Sequence, residues 1–174
     1  MKIKSVSVLA SLLLVFSMTL AGATAFADKG PVPNGRLASQ IDYWFVGHLG
    51  QMDDEGRLLV WDGIIQGSFT GEVKWWFVIP GPVARTAFDA GEVAFYAARW
   101  EIRVAGELAL AGESAGKTVF PTLADGIWDG HGVVTEAKGS FSPLKGRKMY
   151  ETGTVLLGST PPVTFTGTGM FSVY

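Results

Sequence analysis

The chain of 174 residues contains no cysteine. Without thiols it forms no disulfide, no cysteine-ligated zinc or iron–sulfur site, and no lipid-modified cysteine of a bacterial lipoprotein. Only two histidines, His48 and His131, are present. A three-histidine metal site is therefore excluded, and we expect neither a metal nor any other cofactor.

Positive charge and long apolar runs are also scarce. The formal net charge is -2, and the basic residues form no patch along the chain, so nucleic acid is not an expected partner. Beyond Ala27 no apolar run approaches the ~20 residues that a membrane-spanning helix needs. A membrane is therefore not an expected partner either.

The N-terminal residues have the composition of a secretory leader. Two lysines precede an apolar run centred on residues 12–16, and Ala25-Phe26-Ala27 has the A-x-A form of a cleavage site. We therefore predict a signal peptide over 1–27 and export to the periplasm or the medium. Residues 28–38 are rich in proline and glycine and predict a flexible N-terminal segment before a single domain over 39–174.

The remaining sequence lacks helical periodicity, and alternating apolar and polar runs recur between glycine-containing turns. This pattern predicts an all-β fold of about eight strands, placed at 41–49, 57–67, 71–79, 92–104, 107–111, 127–137, 147–158 and 163–174. Glycines inside strands allow a sheet to bend and close. We therefore expect a small antiparallel β-barrel, with a two-sheet β-sandwich as the alternative.

Alternation also assigns residues to opposite faces of each strand. In 92–104, one face carries Tyr96, Trp100, Ile102 and Val104, and the other carries Arg99, Glu101 and Arg103. Outside the barrel, the charged row is a solvated stripe; inside, it is an ionic cluster that holds Glu101 charged. The pattern leaves both placements open.

Glu101, His131 and Tyr150 are the candidate catalytic residues, because one of them in a cavity can act as an acid or base. Asp129 and His131 lie two positions apart and share a face; the competing interpretation is a solvent-exposed polar pair. The string Gly112-Glu113-Ser114-Ala115-Gly116 matches G-x-S-x-G. No helix pattern follows it, so we interpret it as a glycine-flanked turn and not as a nucleophile elbow.

The six tryptophans are the most distinctive side chains. Adjacent residues on a strand face opposite ways, so Trp75 and Trp76 cannot both point inward. In one interpretation the rings fill the barrel. In the other they line an apolar pocket in its mouth, and the candidate ligand-binding residues are then Trp44, Trp61, Trp75, Trp100 and Trp128.

The run from Gly130 to Phe141, followed by Gly146-Arg147 and Glu151-Thr152-Gly153, resembles the allene oxide cyclase and dirigent barrels, which carry a similar G-x-G-x(4)-A-x-G run. The resemblance covers roughly the last quarter of the chain. It implies an eight-stranded antiparallel barrel of calycin type with a mainly apolar cavity, in which reactive small molecules are bound or steered. No catalytic residue of those families matches a position here, so their activity is not implied.

Three functions are compatible with these features. The first is an exported soluble barrel that binds an apolar or amphipathic small molecule in its interior. The second is a cofactor-independent cyclase or isomerase that uses the same cavity. The third is a small outer-membrane barrel. It requires that the charged face of 92–104, with Arg99, lies inside the barrel and that the apolar face, with Trp100, contacts lipid. The oligomeric state is left open.

The leader predicts a defined mature terminus. Intact mass and N-terminal sequencing of the protein from its own host should show a chain that begins at Asp28, because cleavage follows Ala27. The variant Ala25→Arg should accumulate uncleaved, since a long charged residue does not fit the A-x-A site. A mature chain that retains Met1 would contradict the prediction.

Overall fold

A computed structural model describes residues 36–51, 54, 59–79, 91–121, 125–157 and 164–174. The predicted signal peptide over 1–27 and residues 28–35 lie outside the described residues. Residues 36–38 have no regular structure and lead directly into the first strand. In these ranges, no helix combines the length and apolar character needed to cross a membrane.

Eight antiparallel strands close into one barrel, which confirms the all-β prediction and excludes the sandwich alternative. Each strand pairs with the next, and β8 pairs with β1. A six-residue 3-10 helix over Gly139–Leu144, which contains Pro143, separates the sixth and seventh strands. The strands are β1 (Ser39–Leu49), β2 (Val60–Gly67), β3 (Gly71–Ile79), β4 (Glu92–Val104), β5 (Glu107–Phe120), β6 (Asp125–Ala137), β7 (Lys148–Leu157) and β8 (Thr164–Val173).

Strand β5 differs from its prediction. The expected strand 107–111 continues to Phe120, so the predicted turn at the G-x-S-x-G string is wrong. Gly112 and Gly116 sit within the strand, where a Cβ on Gly112 would collide with the Trp100 ring and one on Gly116 with the backbone of β6. These glycines mark close packing inside a strand, which a single sequence does not distinguish from a turn.

Glycines and aromatic rings share the inward faces of the strands. Tyr43 lies opposite Gly169, and Phe45 lies opposite Gly167. A Cβ on Gly169 would collide with the Tyr43 ring, and one on Gly167 with the Phe45 ring and the Thr154 carbonyl oxygen. The glycines therefore provide the room into which the rings project.

The two rows of β4 are sorted as the alternation predicts. Trp100 and Ile102 are buried inside the barrel, and Arg99 and Arg103 are exposed outside it. Charge at the middle of an outward face is costly against lipid. This placement is the reverse of the one that an outer-membrane barrel requires, so it gives that hypothesis no support.

The two ends of the barrel differ. At one end the connections are 68–70, 105–106 and 138–147. Leu144 of the 3-10 helix joins the core there, and the Phe141 ring packs edge-on against Phe69 at 5.2 Å; we call this the plugged end. At the other end the connections span 50–59, 80–91, 121–124 and 158–163, and we call it the loop end.

Replacement of an inward glycine tests the fit between glycines and rings. Gly167→Ala should destabilise the protein by about 1–3 kcal/mol, because the added methyl meets the Thr154 carbonyl, which cannot rotate away. The outward neighbour Thr166→Ala should change stability by about 0.5 kcal/mol or less. Denaturant unfolding followed by circular dichroism measures both. Equal effects at the two positions would contradict this account.

Candidate functional site

The middle of the barrel interior contains a small group of polar side chains in a mostly apolar core, in which Thr118 of β5 is a further buried polar residue nearer the loop end. Four strands contribute one residue each, on inward-facing positions that the pairing brings together. All four residues are buried. We call this group the interior polar cluster; its members are Tyr43 of β1, Tyr96 of β4, Ser114 of β5 and Glu151 of β7.

Glu151 is at the centre of the cluster. Its side chain is 1% exposed, and its Oε1 accepts a hydrogen bond of 2.9 Å from the Tyr96 hydroxyl. Gly130 lies opposite Glu151 on β6. A Cβ on Gly130 would come within 2.6 Å of the Tyr96 hydroxyl oxygen and 3.0 Å of Glu151 Oε1, so glycine is needed there for the hydrogen bond to form.

Two hydroxyls of the cluster are buried without a hydrogen-bond partner. They belong to Tyr43, which is 4% exposed, and Ser114, which is 6% exposed. A buried polar atom without a partner costs about 1–3 kcal/mol. Phenylalanine in place of Tyr43 and alanine in place of Ser114 would avoid that cost, so packing alone does not account for these hydroxyls.

The surroundings of the cluster favour uncharged forms. Burial raises the pKa of the Glu151 carboxyl. The Ser114 and Tyr96 hydroxyls partly offset this rise in pKa, Tyr96 through its hydrogen bond and Ser114 from outside hydrogen-bonding geometry. Burial and the negative charge of Glu151 also raise the pKa values of Tyr43 and Tyr96.

Aromatic rings occupy the interior between the cluster and the loop end. The rings of Trp61 and Trp75 are 4.2 Å apart, and Phe45 packs edge-on against Trp61 at 5.4 Å and against Trp128 at 5.5 Å. Towards the plugged end, Trp100 stacks on Phe171 at 5.5 Å. Four of the five candidate ligand-binding tryptophans thus lie inside the barrel.

The fifth candidate, Trp44, lies on the outer face and is 45% exposed. It faces away from the interior because it alternates with the inward-facing Tyr43 and Phe45 on β1. Trp44 therefore does not line the same space as the other four tryptophans.

The three candidate catalytic residues are on the outer face of the barrel. Glu101 forms an ion pair of 3.1 Å with Arg103. His131 and Tyr150 are paired residues on β6 and β7, with ring centroids 5.0 Å apart, and Tyr150 is only 8% exposed. The structure brings His131 and Tyr150 together but places Glu101 on another part of the sheet, and none of the three reaches the interior.

The cluster itself was not among the sequence predictions. The period of two on β7 puts Glu151 on the face of Met149, Gly153 and Val155. A lone carboxylate in a row of apolar residues and glycines is the signal that could have identified it. It was overlooked because the face of β7 that points inward is set by pairing with β6 and β8, which the strand's own sequence does not specify.

A concave surface lies on the outer face of β2, β3 and β4. This groove has a volume of about 560 Å³ and is lined by Trp76 and several charged residues. Three of those charges already interact within the protein: Glu101 pairs with Arg103, and the Lys74 amino group lies 5.2 Å from the Trp76 ring centre. Among the described residues, no group of three or more His, Asp or Glu side chains could hold a metal ion.

No family model, no curated protein and no solved structure matches this chain. The resemblance to the allene oxide cyclase and dirigent barrels thus stays a prediction. Function has to be inferred from the geometry of the interior.

The raised pKa of Glu151 predicts a pH-dependent stability. The unfolded chain releases this proton near the ordinary pKa of glutamate, whereas the folded chain retains it to higher pH. The stability that the group contributes is therefore full below the ordinary pKa and is lost as pH rises towards the raised value. Glu151→Gln cannot ionise. As the pH rises from about 4 to about 8, its free energy of unfolding should therefore increase relative to that of the wild type.

Denaturant unfolding at the two pH values measures this gain. The control is Glu101→Gln, the same substitution at the outer ion pair with Arg103, for which no comparable gain is expected. A wild type that becomes more stable relative to Glu151→Gln as pH rises would show that the carboxyl is stabilised in its charged form, contrary to this account.

Proposed function

We propose that the protein is an exported β-barrel that binds an amphipathic small molecule in its interior, with the polar part of the molecule on the interior polar cluster. The observation that carries this proposal is the buried Tyr43 hydroxyl, which lacks a partner beside the Glu151 carboxyl. Export rests on the predicted signal peptide over 1–27.

An unpartnered buried hydroxyl favours a binding site because folded proteins pair nearly all such groups. Here two hydroxyls, on Tyr43 and Ser114, are left unpaired around one carboxyl. A ligand oxygen or nitrogen that reaches these hydroxyls would supply the missing partners. A buried water molecule is the competing occupant, since it makes the same hydrogen bonds, and the experiment below separates the two.

The exposure of inward-facing residues favours entry from the loop end. Phe77, Ala94, Trp128 and Val155 point inward near that end and are only partly buried, although Phe120 there is fully buried. Near the plugged end, Ile102, Val134, Met149 and Val173 are at most 2% exposed. The partly buried residues at that end, Phe69, Ala137 and Phe141, lie in or directly beside the connections.

A route from the loop end to the cluster runs along β3 and β4. The Phe77 ring packs edge-on against Tyr96 at 6.2 Å, and Tyr96 in turn donates its hydrogen bond to Glu151. Aromatic rings occupy this half of the barrel, so a ligand has to displace some of them. Phe77 and Trp128 are suited to this because they are incompletely packed and so lose fewer contacts on rotation.

The second candidate function is a cyclase or isomerase that uses the same interior. The observation that favours it is Glu151, whose pKa is raised by burial and which is hydrogen-bonded to the Tyr96 phenol. A carboxylic acid kept neutral in an apolar site can donate a proton to a reacting oxygen. In this function Glu151 and Tyr96 take the role that was predicted for Glu101, His131 and Tyr150.

Native mass spectrometry of the mature protein from its own host tests the binding function. The wild type should carry a small molecule, and Tyr43→Phe should carry less of it, because the loss of roughly 1.4 kcal/mol of hydrogen bonding weakens the affinity by about tenfold. Tyr150→Phe removes a phenol of similar burial from the outer face and should leave occupancy unchanged.

A protein that carries nothing heavier than water in all three forms would contradict the proposal.

An enzyme is distinguished from a binding protein by the fate of the molecule. Incubation of the recovered compound, or of its chemical precursors, with wild-type protein should return it unchanged for a binding protein. A cyclase converts a precursor to an isomer of the same mass.

A further inference from the structure

The polar groups available inside the barrel limit the chemistry of the ligand. The interior polar cluster offers two unpartnered hydroxyls, on Tyr43 and Ser114, and one carboxyl, on Glu151. Each hydroxyl can donate one hydrogen bond, and the carboxyl donates a third when it is protonated. Hydrogen-bond donors without a partner suit an acceptor oxygen on the ligand.

Cationic side chains are lacking inside the described part of the barrel. Every lysine, arginine and histidine whose side chain the structure describes lies outside the interior; those on strands are Lys74, Arg99, Arg103, Lys117, His131 and Lys148. A ligand carboxylate, sulfate or phosphate at the cluster would thus have no counter-charge and would lie against Glu151. Burial of an unpaired anion is strongly unfavourable.

A cationic group is disfavoured for a different reason. An ammonium group at the cluster requires Glu151 in its charged form as the counter-ion. Burial works against that form, and the Ser114 and Tyr96 hydroxyls offset this effect only in part. Buried ion pairs recover their desolvation cost only when further hydrogen bonds complete them.

We propose that the polar group of the ligand is an uncharged acceptor, such as a ketone, ester or ether oxygen, that accepts hydrogen bonds from the Tyr43 and Ser114 hydroxyls beside Glu151. This inference rests on the proposed interior binding function and adds the ligand class. The apolar part of the ligand lies towards Phe45, Trp61, Trp75 and Trp128, which share that half of the interior.

Three probes with the same alkyl chain test the ligand class: methyl laurate, laurate and laurylamine. Binding to the full mature protein is measured at neutral pH by tryptophan fluorescence and by calorimetry, below the concentrations at which the probes form micelles. Methyl laurate should bind at least about tenfold more tightly than either charged probe, because only the charged groups lose hydration without a ready counter-charge.

Two variants show whether the ester uses the cluster. Tyr43→Phe should weaken methyl laurate several-fold, and Tyr150→Phe should leave its affinity unchanged. If laurate or laurylamine binds as tightly as methyl laurate or more tightly, and Tyr43→Phe weakens that binding, the inference of an uncharged ligand group is wrong but interior binding is supported. Failure of all three probes to bind, or binding that Tyr43→Phe does not affect, would overturn both inferences.

Discussion

The closed sheet depends on the fit between inward glycines and the aromatic rings opposite them. Eight strands enclose an interior just wide enough for side chains or for one small ligand, and rings as large as those of Trp100, Trp128 and Phe45 enter it because Gly112, Gly153 and Gly167 add no Cβ there. In a chain without cysteine, no disulfide compensates for a poor fit. Closure also removes sheet edges that would pair with other chains.

The same constraint gives the interior polar cluster its significance. Each inward position in a small barrel is valuable for packing, yet the four positions of the cluster hold a carboxyl and three hydroxyls. Gly130 leaves the room for the Tyr96–Glu151 hydrogen bond, so the residue opposite Glu151 on β6 is suited to the cluster. A structure that gives up apolar packing for polar groups, two of them unpaired, has the composition expected of a site.

The sequence predicted the faces of strands better than their extent or the site. The rows of Trp100 and Arg99 were separated correctly because alternation is local. Strand β5 was cut short at Gly112, where a glycine packed against a ring looks the same as a turn. Glu151 was missed because burial on β7 is decided by its neighbours in the barrel, and Glu101 was favoured because its flanking arginines made it conspicuous. Charge that is conspicuous in a sequence is more often solvated.

The most direct test of the account is a crystal structure of the mature protein purified from its own host, at a resolution that separates ordered water from larger molecules. We expect non-protein density larger than a water molecule between Tyr43, Ser114 and Glu151, continuous with density among the rings towards the loop end. An isolated water at this position, with the surrounding rings closed around it, would contradict the claim that the cluster is a ligand site.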